Sequence, residues 1–190
     1  MRRTARLLLP TLLTAGVMIS PLLSASPARA AFLGKRAVMA VAGHKTGASG
    51  SDVWLLSSTG ARLDNITRSF SPAVSSPAFS PEGGPHIVFV AHGDLYVVDR
   101  QSPGGGHMVH RVTSGRDHDD QPSFDVTGGK IVFARTPRGG VPRLLIANLS
   151  GSKVQALDYP KGSHTAVKGS DPAWSPYQSE VAYVSGDAGS

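Results

Sequence analysis

The sequence predicts an all-β fold that repeats one four-stranded unit, and three observations support this prediction. First, a phrase of a proline, one further residue and an aromatic residue occurs three times, as Pro77-Ala78-Phe79, Pro122-Ser123-Phe124 and Pro172-Ala173-Trp174. Second, the copies begin 45 and then 50 residues apart, which is typical of chains that repeat a supersecondary unit. Third, a turn and a short β-branched run follow each copy, and no segment has helical apolar spacing.

Aligning the copies predicts four strands in each unit, which we name a to d. Strand a is the repeated phrase, and strand b is the β-branched run at 87–90, 131–134 and 181–184. Strand c is expected at 94–99 and 143–148, and strand d at 109–112 and 153–157. The N-terminal segment fits the same template without strand a, with strand b at 37–41, strand c at 52–56 and strand d ending at Thr67. The chain therefore reads b-c-d, a-b-c-d, a-b-c-d, a-b, which makes 13 strands.

The aromatic residue of each phrase has a physical role in such a repeat. Sheets that stack face to face need a large side chain between them, and we expect Phe79, Phe124 and Trp174 to fill this space. We expect the same of Trp54, which also occupies a repeat position. One aromatic residue per repeat suits radially stacked sheets. The alternative is a β-sandwich whose strands are similar by coincidence.

The repeat resembles the TolB-type, WD-like β-propeller repeat, in which an Asp and a Pro precede Trp-Ser-Pro-Asp-Gly and a strand. Trp174 matches the aromatic position of that family, and Thr67 and Thr113 match its closing Thr. The second copy lacks Ser-Pro, and the third has 177–179 in place of Asp-Gly. The resemblance implies a partial β-propeller of about three four-stranded blades. The expected units are 31–70, 71–114, 115–160 and 161–190.

The first 30 residues have the pattern of a secretory signal peptide. Arg2, Arg3 and Arg6 precede an apolar stretch at 7–23, and Ala-Arg-Ala at 28–30 resembles a signal peptidase site. The prolines in the stretch argue against a permanent transmembrane helix. We expect a secreted, extracytoplasmic protein, periplasmic or on the cell surface, exported by the general secretory or the twin-arginine route. The chain has no cysteine, so it forms no disulfide and carries no lipid-anchoring cysteine.

The net charge of +6 comes largely from this N-terminal segment. The first 30 residues carry four arginines and no acid, so the remainder has 15 basic and 13 acidic residues, a net charge of +2. These charges are scattered along the chain, whereas nucleic-acid binding needs a clustered basic face. We therefore expect no nucleic-acid partner.

The motifs of common catalytic sites are absent from the sequence. It contains no Gly-x-Ser-x-Gly, no His-Glu-x-x-His, no P-loop and no dinucleotide fingerprint. The seven histidines occupy different parts of the repeat and are not expected to converge on one metal. We expect no enzymatic activity, no cofactor and no bound metal.

The densest polar cluster lies at the start of the second full repeat, at 116–120, in the loop that joins it to the first. Its acids Asp117, Asp119 and Asp120, together with Asp171, are our candidate binding residues at the mouth of the propeller channel. Oxygen ligands suit Ca²⁺ or Mg²⁺, but the cluster lacks the EF-hand glycine and glutamate, and a solvated loop whose acids bond to its own turn is the favoured explanation of its composition.

These features predict a secreted, non-enzymatic propeller module that binds a protein or a glycan through loops on a rigid scaffold. The resemblance to the TolB type implies a protein partner in the periplasm or at the cell surface. The alternative is the propeller part of a secreted peptidase or polysaccharide lyase. Because open sheet edges invite pairing, three arrangements stay open: a piece of a longer propeller, a ring of two copies, or a partial solenoid that needs a partner.

Overall fold

The computed structural model describes residues 38–44, 50–68, 70, 72–81, 84–100, 107–158 and 165–185. The predicted signal peptide lies outside the described residues, as does the segment 186–190. The described part contains strands and no helix, so it holds no helix that could cross a membrane. The strands are β1 (Val38–Gly43), β2 (Asp52–Ser57), β3 (Arg62–Asn65), β4 (Val74–Phe79), β5 (His86–Ala91), β6 (Asp94–Asp99), β7 (Met108–Arg111), β8 (His118–Phe124), β9 (Lys130–Thr136), β10 (Arg143–Asn148), β11 (Val154–Ala156), β12 (Gly169–Trp174) and β13 (Val181–Ser185).

These strands form four antiparallel sheets in chain order. The N-terminal blade is β1-β2-β3, the first full blade is β4 to β7, the second full blade is β8 to β11, and the C-terminal half-blade is β12-β13. Within each full blade every strand pairs with its neighbour in sequence. The predicted all-β fold, a partial β-propeller of four-stranded blades, is confirmed. The differences are at strand ends: β1 extends to Gly43, and β11 is shorter than the predicted strand d.

The core lies between the sheets and consists of two clusters. The first joins the N-terminal blade to the first full blade, and the second joins the two full blades. Strand β5 contributes to both, because Ile87 and Phe89 face the preceding blade whereas Val88 and Val90 face the following one. A strand that is covered on both faces reads as a continuous apolar run rather than an alternating one, which is the pattern the sequence has.

The turn between strands a and b is held by one polar side chain in each repeat. Asp125 accepts hydrogen bonds from the backbone N–H groups of Gly129 and Lys130, both at 2.9 Å. Ser80 and Ser175 hold the equivalent turns through their hydroxyl groups. The second copy can therefore lack Ser-Pro, because an aspartate satisfies the same turn.

Strand c is tied to the end of its blade by the closing threonine. The N–H groups of Val53 and Leu95 donate to Oγ1 of Thr67 and Thr113, each at 2.9 Å. The second full blade has no threonine at this position, and there the N–H of Leu144 donates to a backbone carbonyl, that of Val167.

Candidate functional site: the inner-strand ladder

Each strand a contains a bulge at the residue directly before its proline. Ser76, Gln121 and Asp171 have positive φ values of 47°, 57° and 53°, and the strand register shifts around each of them. Residues with side chains rarely adopt this left-handed conformation. All three bulges occupy the same place in the repeat, so the distorted backbone is a feature of the unit.

The bulges bring polar side chains from consecutive blades together. Ser76 Oγ donates to Asp120 Oδ1 at 2.7 Å, which links the first full blade to the second. Gln121 Nε2 donates to Asp171 Oδ1 at 3.0 Å, and the N–H of Asp171 donates back to Gln121 Oε1 at 2.7 Å. We call these four residues, Ser76, Asp120, Gln121 and Asp171, the inner-strand ladder. It runs across three sheets at the strands that lie closest to the propeller axis, since these strands contact one another.

Asp119 lies beside the ladder but faces into the protein. Arg135 binds it with two hydrogen bonds, from Nε to Oδ1 at 2.6 Å and from Nη2 to Oδ2 at 2.7 Å. The carboxylate side chain is 2% exposed. The hydrogen bonds that Arg135 donates to the Asp119 carboxylate raise the pKa of Arg135, which stays protonated. Asp119 is therefore engaged in a structural ion pair.

The end of the sheets where strand a begins forms a face that we call the mouth face. It carries the loop before β8, with exposed Arg116 and half-buried Asp117, and the turn at His92 and Gly93. This turn packs on His118, whose Nε2 is 3.9 Å from Asp120 Oδ2. The ladder therefore lies beside a face that presents both acidic and basic groups.

The structure brings two of the four candidate acids, Asp120 and Asp171, into the ladder and leaves Asp117 on the neighbouring loop. The described residues contain no group of three or more His, Asp or Glu that could hold a metal ion. What the ladder offers is an array of hydrogen-bond donors and acceptors. Sequence reasoning missed Ser76 and Gln121, although both align with Asp171 as the residue directly before the proline of the phrase.

Two of the four repeat aromatics belong to the core between blades, and the two tryptophans are outside both core clusters. Phe79 and Phe124 are buried in the two core clusters. Trp174 is half-buried, and its indole Nε1 is buried without a hydrogen-bond partner. Trp54 is half-buried on the N-terminal blade, where the guanidinium of Arg62 lies 4.6 Å from the centre of its ring.

Two histidines on or next to β7 contact neighbouring blades. His107 Nε2 lies 3.1 Å from Asp64 Oδ2 of the N-terminal blade. His110 Nε2 lies 2.9 Å from the carbonyl oxygen of Leu149 in the second full blade. These side chains tie outer strands together in different places and do not share a centre.

Comparison with solved structures identifies the fold. The chain is similar to a TolB-type protein from Agrobacterium tumefaciens, with a TM-score of 0.61 and 20% identity over 83% of this chain and 59% of that one. It is also similar to TolB from Acinetobacter baumannii, with a TM-score of 0.52 and 16% identity over 80% of this chain and 48% of that one. The chain has a TolB-like β-propeller fold. It spans about half of the length of these two relatives.

No protein-family model matches the chain, and no curated protein matches it either. At these identities the likeness shows the fold alone, because one propeller fold serves many functions.

Proposed function

We propose that this chain is an exported β-propeller module that binds a protein partner at its mouth face and has no catalytic activity of its own. The observation that carries the proposal is the inner-strand ladder, in which three equivalent bulges present polar side chains to one another across three sheets. The TolB-like fold supports it, because this fold supplies a rigid scaffold with a loop-lined face.

Backbone strain is the physical reason for this choice of site. A non-glycine residue in the left-handed region costs on the order of 1–3 kcal/mol, and such residues concentrate at binding and catalytic sites. In this chain the cost recurs at Ser76, Gln121 and Asp171. The bulges bring these side chains against the neighbouring blades, where an inserted segment of a partner could exchange the internal hydrogen bonds for its own.

The hydrogen-bonding and charged groups at the ladder and the mouth face favour a polar peptide segment as the ligand. Asp120 and Asp171 accept hydrogen bonds, Ser76 and Gln121 donate them, and Arg116 adds a positive charge on the neighbouring loop. Backbone amides and polar side chains of a protein match such a mixed array. The expected N-terminal signal would bring this module to the periplasm or the cell surface.

Site-specific photo-crosslinking tests the proposal. A photoreactive amino acid replaces exposed Arg116 at the mouth face, or exposed Val126 in the turn at the opposite end as a matched control. We expect the 116 variant, expressed in its native cells, to link to a discrete envelope protein that the 126 variant does not capture. Replacing Asp120 and Asp171 by Asn should reduce that product at least fivefold.

Equal crosslinking from both positions, or a product that is unaffected by the two Asn substitutions, would contradict binding at the ladder. Peptidase and polysaccharide lyase assays on the same purified protein test the second half of the proposal. Turnover of either substrate class by the purified chain would overturn the proposal that the chain has no catalytic activity of its own.

A further inference from the structure

The exposed charged side chains of the described residues are almost all basic. Every described aspartate is buried or half-buried, and Glu180 is the one exposed acid in the described part of the chain. Nine described lysines and arginines, in contrast, are exposed. A partner that touches this surface therefore meets mainly positive charge.

Most of these exposed basic residues lie on the mouth face. Because neighbouring strands are antiparallel, this face carries the turns from strand b to strand c as well as the segments that follow strand d. These positions hold six of the nine, Arg68, Arg111, Arg116, Arg138, Arg143 and Lys168. They are far apart in the sequence, and the topology of the blades brings them to one end of the sheets.

The arginines of this face differ in whether an acid neutralises them. Arg111 is paired, because its Nη2 donates to Oδ2 of the buried Asp94 at 2.5 Å. Within the described residues no ion pair involves the other four, which are Arg68, Arg116, Arg138 and Arg143. Their guanidinium groups are therefore available to a carboxylate from outside.

Arg143 occupies the seam between the two full blades. It shares one face of β10 with Leu145 and Ala147, which pack in the core cluster between these blades. It also lies directly opposite Arg135 of β9, and Asp119 binds Arg135 through two hydrogen bonds. A carboxylate that bound Arg143 would repeat this pairing one strand further out, at the surface.

We propose that the mouth face selects an acidic segment of a protein partner, whose Asp or Glu side chains pair with Arg116, Arg138 and Arg143. This inference rests on the proposed function and adds the charge of the bound segment. A guanidinium group donates two parallel hydrogen bonds to a carboxylate, which gives such pairs geometric specificity. The same charges attract an acidic segment before contact and repel a basic one.

The composition of the face favours a protein segment over a nucleic acid. Sites for single-stranded nucleic acid combine a positive groove with aromatic side chains on which bases stack. Among the described residues the exposed aromatic side chains are Tyr177 and Tyr183. Tyr177 lies in the turn at the opposite end, and Tyr183 lies within β13, so neither belongs to a loop of the mouth face.

The probes are three fluorescein-labelled peptides of equal length, in which serine alternates with glutamate, glutamine or lysine. Each is titrated with the exported protein at low ionic strength and followed by fluorescence anisotropy. We expect the glutamate peptide to bind at least about tenfold more tightly than the glutamine peptide, and the lysine peptide to bind more weakly than either. Equal binding of the glutamate and glutamine peptides would overturn the proposal.

Charge reversal at the two ends of the second full blade locates the site. Arg138→Glu combined with Arg143→Glu changes the mouth face. Lys130→Glu combined with Lys153→Glu makes the same change of charge at exposed residues of the opposite end. The first variant should weaken the glutamate peptide at least about tenfold and the second less than about twofold. Equal losses would overturn the proposal, because overall charge would then explain binding, and so would no loss in either variant.

Arg116→Glu provides the test if the double variant at the mouth face does not fold, because Arg116 is exposed in a loop outside the strands. It should weaken the glutamate peptide more than Lys130→Glu alone does. A single-stranded oligonucleotide of the same charge tests a different polyanion. Tighter binding of the oligonucleotide than of the glutamate peptide, abolished by the mouth-face variant, would overturn the proposal in favour of a nucleic acid.

Photo-crosslinking at position 116 separates this inference from the proposed function. A crosslinked product that persists undiminished in the variant with Arg138→Glu and Arg143→Glu would leave the proposed function standing and overturn the acidic segment. If no product forms at 116, the proposed function fails and the peptide titrations decide the inference alone. Selective, mouth-dependent binding of the glutamate peptide would then still support it, and unselective binding would overturn it.

Discussion

At the scale of single residues, burial decides which charged groups stabilise the fold and which remain available for recognition. Asp119 and Asp120 are neighbours in the sequence, yet β8 directs them differently. Asp119 is enclosed with Arg135, and Asp120 is half-buried in the ladder. Sequence reasoning placed both among the candidate binding acids because an Asp-rich loop gives no information on which carboxylate turns inward.

Removing Asp119 should destabilise the protein strongly. Asp119→Ala leaves the Arg135 guanidinium without its partner in a site that is only 23% exposed, and breaking such a pair costs about 3–5 kcal/mol. Urea denaturation followed by circular dichroism measures the loss. As a control, Asp64→Ala removes a carboxylate that is 43% exposed next to His107 and should cost less than about 1 kcal/mol. Similar losses in the free energy of unfolding for the two variants would contradict the assignment of Asp119 and Arg135 to a structural ion pair.

The hairpin turn between β5 and β6 offers a stabilising substitution. His92 and Gly93 form its two-residue loop and have φ values of 51° and 77°. Such a turn requires positive φ at both positions and favours Asn-Gly. His92→Asn should therefore raise the free energy of unfolding by about 0.5–1 kcal/mol.

Gly93→Ala is the opposing change at the same turn, because a Cβ there would lie 2.8 Å from His118 Nδ1. Thermal denaturation of the two variants should shift in opposite directions. A lower melting temperature for His92→Asn would contradict this account of the turn.

At the scale of elements, the same strand has different energetics in different blades because its neighbours differ. Strand b is apolar in each of the three copies that follow a Pro-x-aromatic phrase. Within the described part of the chain, β5 and β9 are covered on both faces, whereas most residues of β13 are exposed. Repeat alignment predicts where a strand forms, but burial depends on the strands and blades that surround it.

Equivalent truncations in strand b should therefore differ in cost. Phe89→Ala and Phe133→Ala remove fully buried rings and should each cost about 3–5 kcal/mol. Tyr183→Ala at the aligned position should cost less than about 1 kcal/mol, because this side chain is 42% exposed. Chemical denaturation of the three variants measures the difference, and a loss at Tyr183 as large as that at Phe133 would show that the half-blade is covered.

The turn between β10 and β11 packs closely against the first full blade. A Cβ at Gly151 would overlap the carbonyl oxygen of Val112, and Gly151 also has a φ of 71°. Gly151→Ala should force the two blades apart and cost at least about 2 kcal/mol. Gly139→Ala is the matched control, because its φ is 72° and no atom lies within 4 Å of its Cβ position. Gly139→Ala should lower the free energy of unfolding by less than Gly151→Ala, and that smaller loss measures the backbone strain alone.

At the scale of the whole molecule, the repeat spacing predicted the architecture and the repeat alignment predicted only part of the site. The strand order and the turn residues could be predicted because each repeats a local pattern. The bulge could not, since a Pro-x-aromatic phrase indicates a strand and not the left-handed residue before it. Ser76 and Gln121 were missed for that reason, and Asp171 was included only because it is acidic. The hydrogen bond from the Leu144 N–H to the carbonyl oxygen of Val167 could not be predicted either. Every residue has a backbone carbonyl, so the sequence does not indicate which one will accept.

Residue-resolved amide hydrogen exchange tests the central claim, which is that face-to-face packing between neighbouring blades stabilises this partial propeller. Stability differs across a structure, and amides in the most enclosed elements exchange only by global unfolding. The account predicts that amides of β5 and β9 exchange slowest and that those of β13 exchange at least about 100-fold faster. Equal protection of β13 and β9, or fast exchange throughout β5, would contradict it.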